Sequence, residues 1–157
     1  VHEGYLKKYP KKGYTIRCVG KSELRELEEC RYILEAGVID IIVEKASDAE
    51  IEGLLSYVKD RQAYKDALVY WSHIFHLNMA KLTGNETLIS MLTSLLYKVA
   101  RPTILSSRTS INNYLALAQN DGYVDPEHLA IVHALLARDA QTAKDILRKD
   151  ISQTLPF

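Results

Sequence analysis

The sequence predicts an all-α protein, an antiparallel bundle of about six helices preceded by a short β-hairpin. Three observations support this fold class. From Ser22 onward, apolar residues recur every three or four positions, which is the spacing of helices with one buried face. Signals typical of helix starts and ends separate these segments. Only the first seventeen residues alternate in the way that strands do.

The N-terminal segment predicts the hairpin. Residues 5–9 and 14–17 are short, alternating and rich in β-forming side chains, and the Pro-Lys-Lys-Gly sequence at 10–13 is typical of a turn. Because an isolated hairpin is not stable in water, this segment either packs on the helices or belongs to a domain that continues upstream. A solvated basic tail is the simpler alternative. We place the boundary after residue 20, with the hairpin and a linker at 1–20 and a helical domain at 21–157.

A long first helix is predicted to begin with Ser22 as its N-cap. Its apolar stripe includes Leu24 and Val38, and Arg31 falls on the same stripe. A guanidinium group at a core position is costly unless it is paired. Arg31 is therefore expected either to meet an internal carboxylate or to bind an anionic ligand.

Two further helices follow. Ser47 and Glu50 form the pattern of a capping box, which begins an amphipathic helix. The next helix is predicted over about residues 64–83, and Ser72 and His76 lie one turn apart beside its apolar stripe. Both side chains are expected to face inward, where an imidazole needs a hydrogen-bonding partner or a metal.

The end of that helix and the start of the next are also predicted. Gly84 is expected to end the helix in the left-handed conformation, and Asn85 to cap its successor. This strongly apolar successor is predicted to stop at Arg101 and Pro102, because proline disrupts helices.

Residues 103–120 are less regular than the rest of the chain. Polar side chains, Arg108 and Asn112 among them, are interspersed with apolar ones. Such groups either line a wet cavity or occupy an exposed face. The candidate ligand-binding residues of the whole chain are Arg31, Ser72, Arg101, Arg108 and Asn112.

The last two helices supply further candidates for a site. Asp125 and Pro126 predict a helix start, and His128 follows in its first turn. Asp150 continues the apolar spacing of the final helix and is expected to face inward. With His76 from an earlier helix, these residues would bring two imidazoles and a carboxylate to the bundle interior, a ligand set for Zn, Ni, Mn or Fe.

The alternative is that each histidine is a hydrogen-bonded core residue and that Asp150 is exposed. Spacing cannot show convergence, because the three candidates come from separate helices. His73 and His133 rank below His76 and His128, since they share the apolar faces only partly. Neither cysteine lies beside a histidine and no serine has a visible base, so nucleophilic catalysis has little support.

Length, charge and cysteine content exclude several classes of function. The 157 residues suit one domain, and 47% apolar residues are enough for a real core. Twenty basic and twenty acidic residues cancel, so no overall positive field attracts nucleic acid or an anionic membrane. The longest apolar runs are too short to span a bilayer, no signal peptide is visible, and two cysteines form no disulfide framework. We expect a cytoplasmic protein.

Several short motifs, taken in order and spacing, resemble one known family. It is the FCD effector domain of GntR-type transcriptional regulators of the FadR-like branch, and the hairpin resembles the wing of that family's winged helix-turn-helix. The motifs that carry the resemblance to the effector domain are Glu29-Cys30-Arg31, Phe75-His76, Gly84-Asn85, Glu127-His128 and Asp139-Ala140. The likeness covers essentially the whole chain.

The resemblance implies a fragment whose DNA-binding domain lies upstream, a homodimer, and a small carboxylate effector. It also implies a divalent metal, Zn, Ni or Mn, held by an Asp and three His. His76 and His128 match two of these ligands, whereas Ser72 stands at the position of the Asp and Asp150 at that of the last His. The site is therefore either a three-ligand centre or is replaced by direct effector binding through Arg31, as in metal-free acyl-binding relatives.

Two other classes of function remain open. A metalloenzyme on a helical bundle would use the same two imidazoles and carboxylate, but the sequence offers no clear general base. A plain helical interaction module would bind no small molecule. Our prediction is a non-enzymatic sensor domain, which contacts DNA through the upstream domain and has no membrane contact.

Overall fold

The computed structural model describes residues 6–9, 13–16, 20–59, 71–106 and 124–153. A two-stranded hairpin precedes a bundle of helices, as predicted. The strands are β1 (Leu6–Tyr9) and β2 (Gly13–Ile16). The helices are α1 (Lys21–Lys45), α2 (Asp48–Gly53), α3 (Leu55–Lys59), α4 (Trp71–Lys81), α5 (Glu86–Ser106), α6 (Pro126–Leu136) and α7 (Ala140–Gln153).

The hairpin is antiparallel, with Leu6 opposite Ile16 and Tyr9 opposite Gly13. Gly13 has a φ of 89°, a conformation that side chains with a Cβ rarely adopt. This is why a glycine stands where β2 leaves the turn.

Helix α1 begins two residues earlier than expected. Gly20 is its N-cap, and Ser22 lies inside the first turn, where its hydroxyl donates to Glu26 at 3.4 Å. The prediction of Ser22 as the cap was therefore wrong, because the serine hydroxyl bonds to a side chain one turn ahead rather than to a free backbone amide.

The segment after α1 was predicted as one helix and forms two short ones. Its capping box is confirmed, with the Ser47 amide donating to Glu50 Oε2 at 2.8 Å and the Glu50 amide donating to Ser47 Oγ at 3.4 Å. At Leu54 the backbone bonds span three residues instead of four, with Leu54 N to Ile51 O and Tyr57 N to Leu54 O both at 3.0 Å. The preceding Gly53 weakens the helix at this point.

The junction between α4 and α5 agrees with the prediction, but the end of α5 does not. Gly84 has a φ of 64°, and the Asn85 side chain accepts from the Leu88 amide at 3.1 Å. Helix α5 then continues through Pro102 to Ser106. The predicted stop was wrong because a proline inside a long helix removes only one backbone donor, a loss that packing of the rest of the helix can offset.

Helix α1 runs along the centre of the bundle and packs on α4, α5, α6 and α7. A continuous apolar core joins these helices, and its fully buried members include Val38, Ile42, Phe75, Met79, Leu92, Ile131 and Leu147. Polar residues interrupt this core on one side of α1, where Arg31 and Glu35 are both fully buried.

Arg138 holds the C-terminal end of α1 in place. It lies between α6 and α7 with a φ of 57°, and its Nη1 donates to the carbonyls of Ile42, Val43 and Ala46 at 3.4, 3.3 and 2.8 Å. Its Nη2 bonds to Asp48 in α2. One side chain thus donates to three carbonyls at the end of a helix, where the last carbonyls lack the usual intrahelical partners; of the three, Ile42 O also accepts from the Ala46 amide at 2.9 Å. Among the described helices, none is both long and apolar enough to cross a membrane.

Candidate functional site

The buried polar cluster is built outward from Arg31 on α1. Its Nε donates to Glu35 Oε1 at 2.7 Å, one turn along the same helix, and its Nη2 lies 3.6 Å from Asp150 Oδ2 on α7. Arg31 was expected either to meet an internal carboxylate or to bind an anion. The first of these is observed, since two carboxylates face the guanidinium group.

His76 on α4 connects the same two carboxylates. Its Nδ1 bonds to Glu35 Oε2, and its Nε2 lies 3.3 Å from Asp150 Oδ2. The imidazole is fully buried. Burial disfavours its charged form, but the carboxylate of Glu35 and the hydrogen bonds to Asp150 and Glu35 outweigh this effect and raise the pKa of His76.

His128 on α6 completes the cluster. Its Nε2 lies 3.8 Å from Asp150 Oδ1, and its Nδ1 lies 3.8 Å from Asp125 Oδ2. Phe75 stacks on its ring with centroids 4.2 Å apart, and the ring of His76 meets it edge-on at 5.1 Å. Asp125 also caps α6, since its Oδ1 accepts from the His128 amide at 3.1 Å. The cap therefore fixes where α6 begins, and with it the position of His128 along the axis of the bundle.

The electrostatics of the cluster separate its two histidines. Burial, followed by the neighbouring positive charge of His76, lowers the pKa of His128 to about 3, so this ring is neutral at pH 7. Burial opposes ionisation of Glu35, but the adjacent His76 and Arg31 charges outweigh it and bring the pKa of Glu35 to about 2. The pKa of Asp150 is likewise held below its ordinary value, because hydrogen bonding and charge from His76 exceed the effect of burial.

The three predicted metal ligands come together. One ligand atom from each of His76, His128 and Asp150 lies within 4.8 Å of the others. Both histidines turn Nε2 toward the Asp150 carboxylate, and each Nδ1 faces a second carboxylate, Glu35 for one and Asp125 for the other. A carboxylate behind the non-ligating nitrogen is the usual outer partner of a metal-bound histidine. The donor set therefore fits a divalent metal cation.

A model of the FCD domain family matches residues 26–153. The chain belongs to the FCD domain family. Solved structures with the same fold include E. coli McbR/YncC, with 20% sequence identity, a TM-score of 0.76, and coverage of 97% of this chain and 75% of that one. A putative transcriptional regulator GntR from Rhodococcus sp. RHA1 shows 15% identity, a TM-score of 0.70, and coverage of 97% and 71%.

A third structure, Streptococcus agalactiae GntR, has 16% identity, a TM-score of 0.59, and coverage of 96% of this chain and 74% of that one. No curated protein matches the sequence significantly. The family match and these structures together confirm the resemblance found in the sequence. At such low identity the structures establish the fold of this FCD domain and nothing further.

The remaining predicted ligand-binding residues are placed only in part. Ser72 belongs to α4, one turn before His76, and Arg101 belongs to α5, but the side chains of both lie outside the described part of the structure. Arg108 and Asn112 lie outside the described residues altogether. Their roles as ligand-binding residues stay predictions.

Two buried residues of this FCD domain site were missed or ranked low from the sequence. Glu35, which hydrogen-bonds to both Arg31 and His76, was not among the predicted site residues, although its position one turn after Arg31 on the same helix face indicated that the two side chains could pair. His73 is 6% exposed, and burial together with the charges of Arg31 and His76 lowers its pKa to about 3. His133, which the sequence analysis had placed together with His73 below the other two histidines, is exposed.

Proposed function

We propose that this FCD domain is the ligand-sensing and dimerisation part of a DNA-binding transcription regulator, and that it binds a small organic acid. One observation carries the proposal. His76, His128 and Asp150, from three different helices, bring their ligand atoms within 4.8 Å of one another beside a buried arginine. In this proposal the domain binds its ligand and does no chemistry on it.

We assign His76, His128 and Asp150 as the ligands of a divalent cation. Nε2 of His76 and Oδ2 of Asp150 lie 3.3 Å apart, and a cation that displaced the proton from Nε2 would use an electron pair of each atom. Three protein ligands leave coordination positions open, and a bound cation would supply Lewis-acid positions for the oxygens of a carboxylate effector.

Arg31 is the charge partner of the effector carboxylate in this proposal. Its guanidinium group has Nη1 and Nη2 buried and without a hydrogen bond among the described residues, and it lies on the Asp150 side of the cluster. Arginine suits this task because its planar donors match a carboxylate. Ser72, Arg101, Arg108 and Asn112 remain candidates for contacts with the rest of the ligand.

In this proposal, ligand binding at the cluster changes the packing of the helices. Its side chains come from α1, α4, α6 and α7, so a ligand between them favours one arrangement of four helices over others. In a dimer such a change would alter the spacing of two DNA-binding domains on two half-sites. Two of the proteins with a similar structure, from Rhodococcus sp. RHA1 and from Pseudomonas syringae pv. tomato, are described as transcriptional regulators of the GntR type, which supports this assignment.

The proposal is tested by metal content and ligand-induced stabilisation. Purified protein is loaded with Zn²⁺, Ni²⁺ or Mn²⁺, desalted and measured for bound metal per chain. We expect about one ion per chain in the wild type and loss of the ion in His76→Ala and His128→Ala. His133→Ala is the matched control, because His133 is exposed and lies on the same helix as His128.

A thermal-shift screen over small carboxylates, with and without metal, tests the effector. A ligand at about 100 times its Kd adds about 2.7 kcal/mol to the free energy of unfolding, which raises the Tm by about 5–10 °C in a protein of this size. Unchanged metal content in both histidine variants would contradict the metal site. A flat Tm across all acids, with and without metal, would contradict the sensor function as a whole.

A metal-free acid sensor is the second candidate. It is favoured by the charge balance of the cluster, since Arg31 and a protonated His76 face Glu35 and Asp150 and neutralise them without any cation. Such a sensor would bind an acid directly through Arg31. Ligand stabilisation that is equal with added metal and with a chelator, together with no bound ion, would distinguish it from the metal-dependent form.

A further inference from the structure

Helices α6 and α7 form an antiparallel hairpin with a short and well-bonded turn. The Asp139 amide donates to Ala134 O at 2.9 Å. The Arg138 amide donates to Leu135 O at 3.0 Å, which completes the paired bonds of a Schellman motif. Asp139 also caps α7, since its Oδ1 accepts from the Thr142 amide at 2.9 Å. The two helices are therefore joined by a stiff connection.

The open end of this hairpin carries two of the three candidate metal ligands. His128 lies in the first turn of α6, and Asp150 lies in the last turn of α7. Their neighbours Glu127 and Lys149 form an ion pair at 3.4 Å between the two helices. Because α6 and α7 also pack closely on each other, we expect His128 and Asp150 to move together as parts of one body.

Arg138 fixes the turn of the hairpin to the C-terminal end of α1. Its Nη1 donates to Ala46 O at 2.8 Å, and its Nη2 bonds to Asp48. The φ of Arg138 is 57°, a conformation that glycine adopts readily and that is unfavourable for arginine. The hydrogen bonds of its side chain offset this cost, so the structure around the turn holds Arg138 in place.

The contacts between α1 and α7 follow a single antiparallel register. From the turn to the open end they pair Ala46 with Arg138, Asp40 with Lys144, Tyr32 with Arg148, and Arg31 with Asp150. The bond at the turn is 2.8 Å long, whereas Arg31 Nη2 and Asp150 Oδ2 are 3.6 Å apart. The hairpin is therefore held closely to α1 at its turn and more loosely at its open end.

The other half of the proposed site belongs to α1 and α4. Glu35 bonds to both Arg31 and His76, which joins these two helices independently of the hairpin. The three candidate ligand atoms lie within 4.8 Å of one another. Metal–ligand bonds of about 2.1 Å would place tetrahedral ligand atoms about 3.4 Å apart. Filling the site therefore favours an approach of the open end of the hairpin toward α4.

Resting on the site proposed above, we infer that Arg138 is a pivot. When the site is filled, the α6–α7 hairpin turns about Arg138 relative to α1, so that it closes at its open end and stays in place at its turn. Measured along α1 from Ala46, Arg31 is about 22 Å away and Lys21 about 37 Å away. A relative shift of about 1 Å at Arg31 thus becomes about 1.7 Å at Lys21. This end of α1 follows strands β1 and β2 in the chain.

The test measures two distances between α1 and α7 with spin labels, by electron paramagnetic resonance. The far pair joins the native Cys30 to Ser152→Cys, with Cys18→Ser to remove the other thiol. The near pair joins Glu44→Cys to Gln141→Cys, with both native cysteines replaced by serine. The four labelled positions are exposed. Labelled chains are diluted with unlabelled ones, so that only distances within one chain are recorded.

Asp150→Lys opens the far end without any ligand, because it places a second cation beside Arg31. Entry of a water molecule between the two cations should lengthen the far-pair distance by about 2 Å. Along α7, Ser152 is about 21 Å from Arg138 and Gln141 about 5 Å, so rotation should change the near pair only about a quarter as much. Asp150→Asn, a milder change, should open the hairpin less but in the same ratio.

Arg138→Ala assigns the pivot to this side chain. Combined with Asp150→Lys, it leaves the turn without its anchor, so the near pair should now open together with the far pair. Lys144→Ala combined with Asp150→Lys is the matched control. It removes the ion pair with Asp40 between the same two helices but keeps the anchor at the turn, so the ratio should not change.

Zn²⁺ added to the wild type is the second arm of the test. We expect it to shorten the far-pair distance and to leave the near pair almost unchanged. If Zn²⁺ does not bind, the metal site is refuted, but the variants still decide the pivot.

The pivot is refuted if Asp150→Lys and Asp150→Asn move both pairs equally or move neither. It is also refuted if Arg138→Ala leaves the ratio as it was, or if Zn²⁺ binds without shortening the far pair. A near pair that moves only when Arg138 is replaced supports the inference.

Discussion

Replacing Glu35 with glutamine removes the carboxylate that binds both Arg31 and His76. The amide still accepts one hydrogen bond, but the ion pair that the guanidinium group then keeps among the described residues is the longer one, with Asp150 at 3.6 Å. Removing one partner of a buried ion pair costs about 3–5 kcal/mol. Because Asp150 compensates in part, we expect a loss near the lower limit, about 3 kcal/mol, and a Tm lower by about 6–12 °C.

The measurement is urea unfolding at pH 7 in the absence of metal, with a thermal melt as a second probe. Glu44→Gln is the matched control, because Glu44 lies on the same helix and is exposed. In metal-loaded protein, Glu35→Gln should also lower the metal affinity about 10- to 100-fold, since the outer partner of a ligating histidine is lost. If the variant lies within about 0.5 kcal/mol of Glu44→Gln, the buried charge network described above is wrong.

Three further predictions address other parts of the fold and site. Arg138→Ala should lower the free energy of unfolding by about 2 kcal/mol, because carbonyls at the end of α1 lose their donor; a urea curve that coincides with the wild type would contradict this. Asp150→Asn should weaken metal binding about tenfold or more, whereas Asp150→His should retain it, as measured by metal content and competition with a chelator; equal binding by all forms would exclude this carboxylate as a ligand. The pKa of His73 is about 3 in the folded protein, so the unfolded chain takes up more protons below about pH 6.5 and stability falls as the pH is lowered toward 3. In His73→Gln the unfolding free energy should change less between about pH 6.5 and 5 than in the wild type or in His133→Gln, and an equal slope would refute the buried neutral state of His73.

Much of the fold could be predicted because its signals are local. Apolar spacing of three and four residues, the capping box at Ser47, the left-handed Gly84 and the Asp125 cap each depend on residues within one or two turns. The errors have local causes as well. Ser22 bonded to a side chain instead of a backbone amide, and α5 passed through Pro102 because the long helix tolerates the loss of one donor.

The candidate site was predicted in composition but not in arrangement. Each of four residues was chosen because it lies on or beside the apolar face of its own helix, and the structure brings the four together: His76, His128, Asp150 and Arg31. The hydrogen bond between Glu35 and Arg31 could have been predicted from the sequence, since the two residues lie one turn apart on one helix. The hydrogen bond between Glu35 and His76 could not have been predicted, because α1 and α4 are far apart in the chain.

The sequence by itself determined which faces of the helices are apolar, where several of the helices begin or end, and which polar residues are placed on the buried side. Tertiary structure alone decided that imidazoles from α4 and α6 meet a carboxylate from α7 beside the guanidinium group of α1. The physical reason is that helix formation depends on neighbours three or four residues away, whereas convergence depends on how whole helices pack. The same packing leaves Glu28 buried and without a hydrogen bond among the described residues, which spacing along the chain does not reveal.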